Sequence, residues 1–158
     1  GGRDNAFVSV DGWTTPHRIL LEAAWLQGTA TRITASAWGS TLVANPVLGS
    51  TLQGGAGRDI LFGRPGADTL IGGAGDDTLN AGAGDHLLFD ARGWGTDTVW
   101  GAAPGTVLDF TDSGLSAPGA FAVRVDASAG TVTFASTAGT VILVGVTQAQ
   151  AEAMMIFG

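Results

Sequence analysis

The sequence has no cysteine, which excludes disulfides, thiol chemistry and cysteine-ligated metal sites. It has no lysine either: all seven basic residues are arginine, against 14 acidic ones, for a formal net charge of −7. A nucleic-acid binder would show clustered positive charge, and an anionic lipid surface would repel such a chain. No apolar run approaches the roughly 18 residues that a spanning helix needs. Charged residues are only 13% and hydrophobic ones 45%, which is not the profile of a disordered acidic tail. Histidine occurs only as His17 and His86, and glutamate only as Glu22 and Glu152. Neither histidine stands in a catalytic motif, so no enzymatic activity is expected of these residues; an active site of the parent protein would lie upstream. The opening Gly1-Gly2-Arg3 shows no charged start leading into an apolar leader, and it reads as a cut inside a longer protein.

What is abundant is glycine, 26 of 158 residues, and it is periodic. From Gly54 the chain runs GGAGRDILF, GRPGADTLI, GGAGDDTLN and AGAGDHLLF, four blocks of nine residues. The fourth position is Gly57, Gly66, Gly75 and Gly84. The sixth is Asp59, Asp68, Asp77 and then His86; the eighth is Leu61, Leu70, Leu79 and Leu88. After two extra residues, Asp90 and Ala91, a weaker copy reads RGWGTDTVW, with Gly95, Asp97 and Val99 in register.

Gly-rich positions let the backbone turn sharply and bring its carbonyls together. The apolar eighth position points into a shared interior, and positions seven to nine form a strand of about three residues. Two blocks make one turn of a coil, so residue i stacks on residue i+18 and the strands above one another are parallel. No single turn buries its leucine alone, so the array is stable only as a stack. The fold expected is all-β: a parallel β-roll, a right-handed β-solenoid, with flanking strand caps and a short C-terminal helix as an option.

This stacking gives the aspartates a chemical meaning. Asp59 and Asp77 are 18 apart, so their carboxylates face each other across adjacent turns. Around them lie the carbonyls of Gly54, Gly55 and Gly57 and of Gly72, Gly73 and Gly75. Hard oxygen donors, around six in number, suit Ca²⁺ better than Mg²⁺ or Zn²⁺. In the opposite loops Gly63, Gly66, Gly82 and Gly84 stand in the same roles. There Asp68 faces only Ser50 and His86, which makes half-sites. Asp77 and Asp97 are 20 apart and pair only if Asp90 and Ala91 bulge out of the coil. One strong site and one or two weaker ones are expected. Asp76 and Asp85, at the fifth position, are expected to be solvated rather than direct ligands, and His86 to be a degenerate loop residue rather than a transition-metal ligand.

Residues 54–89 resemble the RTX (repeats-in-toxin, hemolysin-type) nonapeptide GGxGxDxUx, where U is a large apolar residue. The departures are Arg64, Pro65, Ala81 and His86. The resemblance implies a calcium-bound β-roll near the carboxyl end of a bacterial protein exported by type I secretion. On that basis residues 1–53 are expected to be an N-terminal cap or degenerate coils, 54–100 the calcium-binding roll, and 101–158 a C-terminal cap with an export signal.

Within the first segment, Gly39-Ser-Thr-Leu42 recurs as Gly49-Ser-Thr-Leu52. Phe7–Val10 and Arg18–Leu21 read as strands, with a helix over 20–26 as the alternative. Trp13, Trp25 and Trp38 read as core or rim residues, ahead of a carbohydrate-stacking role. Downstream, strands are expected at 107–110, 121–125, 131–134 and 140–144, with turns at Gly130 and Gly139. Thr147 followed by Gln150 is a capping-box pattern for a helix over 148–154. The apolar end Met154–Phe157 reads as an export signal or a final strand on the roll. Three functions follow: a calcium-driven folding and secretion module; a structural or adhesive module of a cell surface or S-layer, with self-assembly; and a substrate-binding accessory domain of a secreted enzyme, with a polysaccharide partner.

Overall fold

A computed structural model describes residues 7–9, 21–22, 31–35, 37–44 and 47–158, with backbone alone at 7–9, 21–22 and 31. The chain winds alternately between two sheets. One sheet stacks, in order, β1 (Phe7–Ser9), β3 (Thr31–Thr34), β5 (Ser50–Gln53), β7 (Thr69–Ile71), β9 (His86–Leu88), β11 (Val107–Phe110) and β15 (Met155–Phe157). The other runs from β2 (Leu21–Glu22) through β4 (Thr41–Val43), β6 (Ile60–Phe62), β8 (Thr78–Asn80) and β10 (Gly95–Trp100) to β14 (Gly139–Val144), β13 (Thr131–Ala135) and β12 (Ala122–Asp126). Odd strands fall in one sheet and even strands in the other as far as β11, and neighbours there are parallel. This is the expected parallel β-solenoid.

The reason lies in three-residue strands whose middle side chain alone points inward. Leu42, Leu61, Leu79 and Val99 form one buried column and Leu52, Leu70, Leu87 and Leu108 the other, all fully covered. Each such side chain contributes roughly 1.5–3 kcal/mol of burial, and only when its neighbours are in place. The stacking interval is 18 residues where the consensus is regular, as at Ile60 over Thr78 and Thr51 over Thr69. The segment before the repeats continues the same ladder: Leu42 lies on Leu61, and Ile33 on Leu52.

One expectation is overturned. The nine-residue spacing put His86 at the sixth position and Leu88 in the core. Instead His86 pairs with Thr69, Leu87 with Leu70, and Leu87 is fully buried while Leu88 is half-exposed. The fourth loop is one residue shorter than its predecessors. The loop N–H that caps the buried aspartate lies four residues before Asp59 and Asp68, but only three before Asp85. Asp85 thereby takes the sixth-position role. It also supplies the buried acceptor for the Asp68 N–H at 3.0 Å while its other oxygen accepts the Gly82 N–H, two acceptors where a neutral imidazole has one.

The two extra residues do bulge. Arg92 Nε donates to Asp90 at 2.9 Å, the Ala91 N–H bonds the Asp112 carbonyl at 2.9 Å, and the ladder resumes with Thr98 over Thr78. Beyond β11 the chain leaves the coil for an antiparallel excursion, β12–β13–β14. It then rejoins, β14 lying parallel on β10 and β15 on β11. Helix α1 (Gln148–Met154) makes the last connection, with both hydrogen bonds of the Thr147/Gln150 capping box present. The end is sealed by Phe89, Trp94, Phe110, Phe121, Phe134 and Phe157, with Phe89 stacked on Phe110 at 4.8 Å and Phe110 on Phe157 at 5.6 Å. The apolar C-terminal residues thus form a final strand. No helix among the described residues is long and apolar enough to cross a membrane. Trp13, Trp25 and the alternatives for 18–20 and 23–26 lie outside the described residues; Leu21–Glu22 is strand.

Candidate metal centre

Two columns of buried polar side chains run along the roll where loop meets strand. One is Ser40, Asp59, Asp77 and Asp97; the other is Ser50, Asp68, Asp85 and Thr106; none exceeds 4% exposure. Each precedes the buried apolar residue by two, so the alternation that turns the leucine inward also brings the carboxylate to the inner rim.

The aspartates tie successive turns together. The Oδ1 of each accepts the backbone N–H of its counterpart one turn earlier. Ser40 donates to Asp59 at 2.7 Å, Asp59 to Asp77 at 2.8 Å and Asp77 to Asp97 at 3.1 Å. In the other column Ser50 donates to Asp68 at 2.7 Å and Asp68 to Asp85 at 3.0 Å. The second oxygens then divide into two groups. Those of Asp59, Asp68 and Asp85 accept an N–H of their own loop, from Gly55, Arg64 and Gly82, at 2.7–3.0 Å. Those of Asp77 and Asp97 are buried with no partner.

Burial is the main electrostatic fact. It pushes Asp97 up to about 8, with the neighbouring Asp77 and Asp76 charges adding to the rise. Burial likewise takes Asp77 to about 7, helped by Asp59 and Asp76, against the Asp59 N–H. Asp59 rises to about 6, restrained by the Gly55 and Ser40 hydrogen bonds, and burial also raises Asp68 and Asp85. In column one, stacked carboxylates therefore meet in a site with too few donors.

The glycines let the loops lie against one another. A Cβ on Gly73 would run into the Gly55 carbonyl and one on Gly75 into that of Gly57, and both residues have positive φ, +95° and +124°. Gly54 and Gly72 crowd Asp59 and Asp77 in the same way, leaving no room for a side chain beside either carboxylate. Gly63 packs against Asp85, whereas Gly66 sits looser on the turn before it and Gly84 meets nothing within 4 Å.

No cluster of three or more acidic or histidine side chains forms among the described residues. A cation held here would rest on no more than two carboxylates at a time, completed by loop carbonyls. That all-oxygen set fits a hard ion of calcium's size and tolerance, and the two unpartnered oxygens are the atoms such an ion would engage. Asp59 and Asp77 are brought together as expected, and Asp97 joins them despite the insertion. Asp76 is exposed and accepts the Thr96 N–H at 3.0 Å. His86 lies outside both columns, its Nε2 2.6 Å from Asp109 Oδ2. Burial works to raise Asp109, but hydrogen bonds from Thr111 and His86 outweigh it and hold the carboxyl below its ordinary value. Asp85 is the buried carboxylate that the consensus spacing missed.

No curated protein matches the chain. Residues 51–85 match the model of the RTX calcium-binding nonapeptide repeat, in four copies. With the two-sheet roll and its buried aspartate columns, this makes the repeat region a calcium-binding module of the RTX type.

Proposed function

We propose that calcium is the folding switch of this module, and that it serves type I export and extracellular folding of a larger bacterial protein. The observation that carries the reading is the buried, unpartnered pair of oxygens on Asp77 and Asp97. Near neutral pH the ion-free roll must either hold these carboxylates charged, out of water and close together, or take up protons that the unfolded chain has released, and either cost falls on folding. With short strands and a large ordering entropy, that cost favours an unfolded chain where calcium is scarce. Such a chain suits threading through an exporter, and millimolar calcium outside the cell would then fold it. The strongest sites in this reading are the column of Asp59, Asp77 and Asp97. Asp68 and Asp85, whose oxygens already have backbone donors, form the weaker side. The module itself performs no catalysis; chemistry belongs to whatever the parent chain carries elsewhere.

Far-UV circular dichroism during a calcium titration of ion-stripped protein tests this. A coil-like spectrum converting cooperatively to β with Ca²⁺ but not with Mg²⁺ is expected. A β spectrum already complete without calcium, and indifferent to it, would remove the switch.

A further inference from the structure

The eight-stranded sheet ends at β12, and no strand among the described residues covers its outer edge. All five of its residues, Ala-Val-Arg-Val-Asp, are exposed or half-exposed, with Val125 at 58%. An uncovered edge presents a row of free N–H and C=O groups, a template for another strand. Alternation sends Val123 and Val125 to one face, opposite the buried Phe134 and Val132 of β13, and Arg124 and Asp126 to the other.

Edges are commonly guarded by charge, which repels a like neighbour. This edge instead carries opposite charges two residues apart, so it complements itself. In an antiparallel pairing centred on Val125, each Arg124 stands opposite the partner's Asp126, twice over by symmetry, and the two Val125 side chains meet. Shifting the centre to Arg124 would set the two guanidinium groups against each other. The side chains are ready for the first register. Ser128 N–H, Ser128 hydroxyl and Ala129 N–H all donate to Oδ1 of Asp126, at 2.6–3.1 Å, which leaves Oδ2 free. Among the described residues the ion pairs are Arg58–Asp76, His86–Asp109 and Arg92–Asp90, and Arg124 enters none of them.

We propose that β12 pairs with β12 of a second copy of this chain, antiparallel and centred on Val125, so that one sheet runs continuously through a twofold dimer. A single short edge makes a small interface, so the association is weak and concentration-dependent. It depends on the folded sheet and not on the export reading, so it is examined on the full chain in saturating calcium.

Sedimentation velocity from micromolar to millimolar protein is the experiment, with circular dichroism to check folding. The wild type should pass from monomer to dimer, and Arg124→Asp should raise the dissociation constant at least tenfold. Asp126→Arg should do the same. An equimolar mixture of the two variants, each self-repelling but complementary to the other, should dimerise again. Asp126→Arg also gives up the Ser128 turn; if it fails to fold, Arg124→Asp decides alone. A wild type monomeric at millimolar concentration, a dimer indifferent to Arg124→Asp, or a mixture of folded variants that stays monomeric would each overturn the pairing.

Discussion

Removing the charge of Asp97 separates two quantities that usually move together, the stability of the ion-free protein and its affinity for calcium. Asp97 is 1% exposed, and burial pushes its carboxyl up to about 8. In Asp97→Asn the amide oxygen still accepts the Asp77 N–H that now lies at 3.1 Å, and a buried charge that the Asp77 and Asp76 carboxylates oppose is gone. At pH 8 the calcium-free variant should therefore need less of a stabilising osmolyte than wild type to reach the β state, while calcium affinity falls at least about tenfold. Asp68→Asn should behave differently. Both of its oxygens already accept backbone N–H groups, from Ser50 and Arg64, so the amide leaves one donor unsatisfied and the calcium-free chain should need more osmolyte to fold. Osmolyte-driven folding without calcium, followed by circular dichroism, and calcium titrations of both variants decide it; an Asp97→Asn protein of unchanged affinity, or harder to fold without calcium, contradicts the site. The Asp59–Asp77 approach was legible from spacing alone. That the unpartnered oxygens fall at Asp77 and Asp97 was not, because it turns on which loop N–H groups reach back to each carboxylate.

At the scale of the strand and its loop, the fourth block carries the sharpest test. Leu87→Ala should cost about 2–5 kcal/mol through the cavity it leaves. Leu88→Ala, half-exposed on the outer face, should cost well under about 1 kcal/mol. Chemical denaturation in calcium measures both, and the reverse order would restore the nine-residue register. The strands Ile60–Phe62, Thr69–Ile71 and Thr78–Asn80 follow from the repeat as expected. The fourth did not, because Leu87-Leu88-Phe89 offers apolar side chains in either register. A signal was nonetheless present: the step of two from aspartate to apolar residue holds in every copy, as Asp59/Leu61, Asp68/Leu70, Asp77/Leu79, Asp85/Leu87 and Asp97/Val99. The strand fixes that step, since both side chains must face inward, whereas the loop before it changes length freely. Helix α1 was legible for a related reason: its start is set by the local Thr147/Gln150 capping box.

For the whole molecule, local pattern located the C-terminal strands but not their partners. Gly139 returns to Gly95, and Met155 to Leu108, across separations of 44 and 47 residues, and no local signal specifies such pairings. The aromatic cluster that joins these turns is likewise a product of the assembled end. Summed over the molecule, the buried aspartates make the ion-free roll respond to pH with a definite sign. Asp59, Asp77 and Asp97 stand at about 6, 7 and 8 when folded, against 3.8 for the free side chain, and Asp68 and Asp85 are raised as well. Between 3.8 and about 8 the folded state keeps protons that the unfolded chain has released. The stability these groups contribute is therefore fully present below 3.8 and is lost as pH rises through the folded values. Asp90 and Asp109 act oppositely, held low by Arg92 and by Thr111 with His86 respectively. Their contribution is present above 3.8 and lost only below it. Ion-stripped protein should thus gain β signal progressively as pH falls from about 8.5 to about 5. In saturating calcium, where the chain is folded throughout, the melting temperature should instead fall with pH, because the ion holds the same carboxylates ionised and protons then compete with it. Circular dichroism without calcium and melts with it across that range, with calcium removed by ion exchange rather than by a chelator that itself titrates, provide the measurement. An ion-free β signal that stays flat or rises with pH would mean that these carboxylates are not held buried and unpaired, and the calcium switch would lose its driving force.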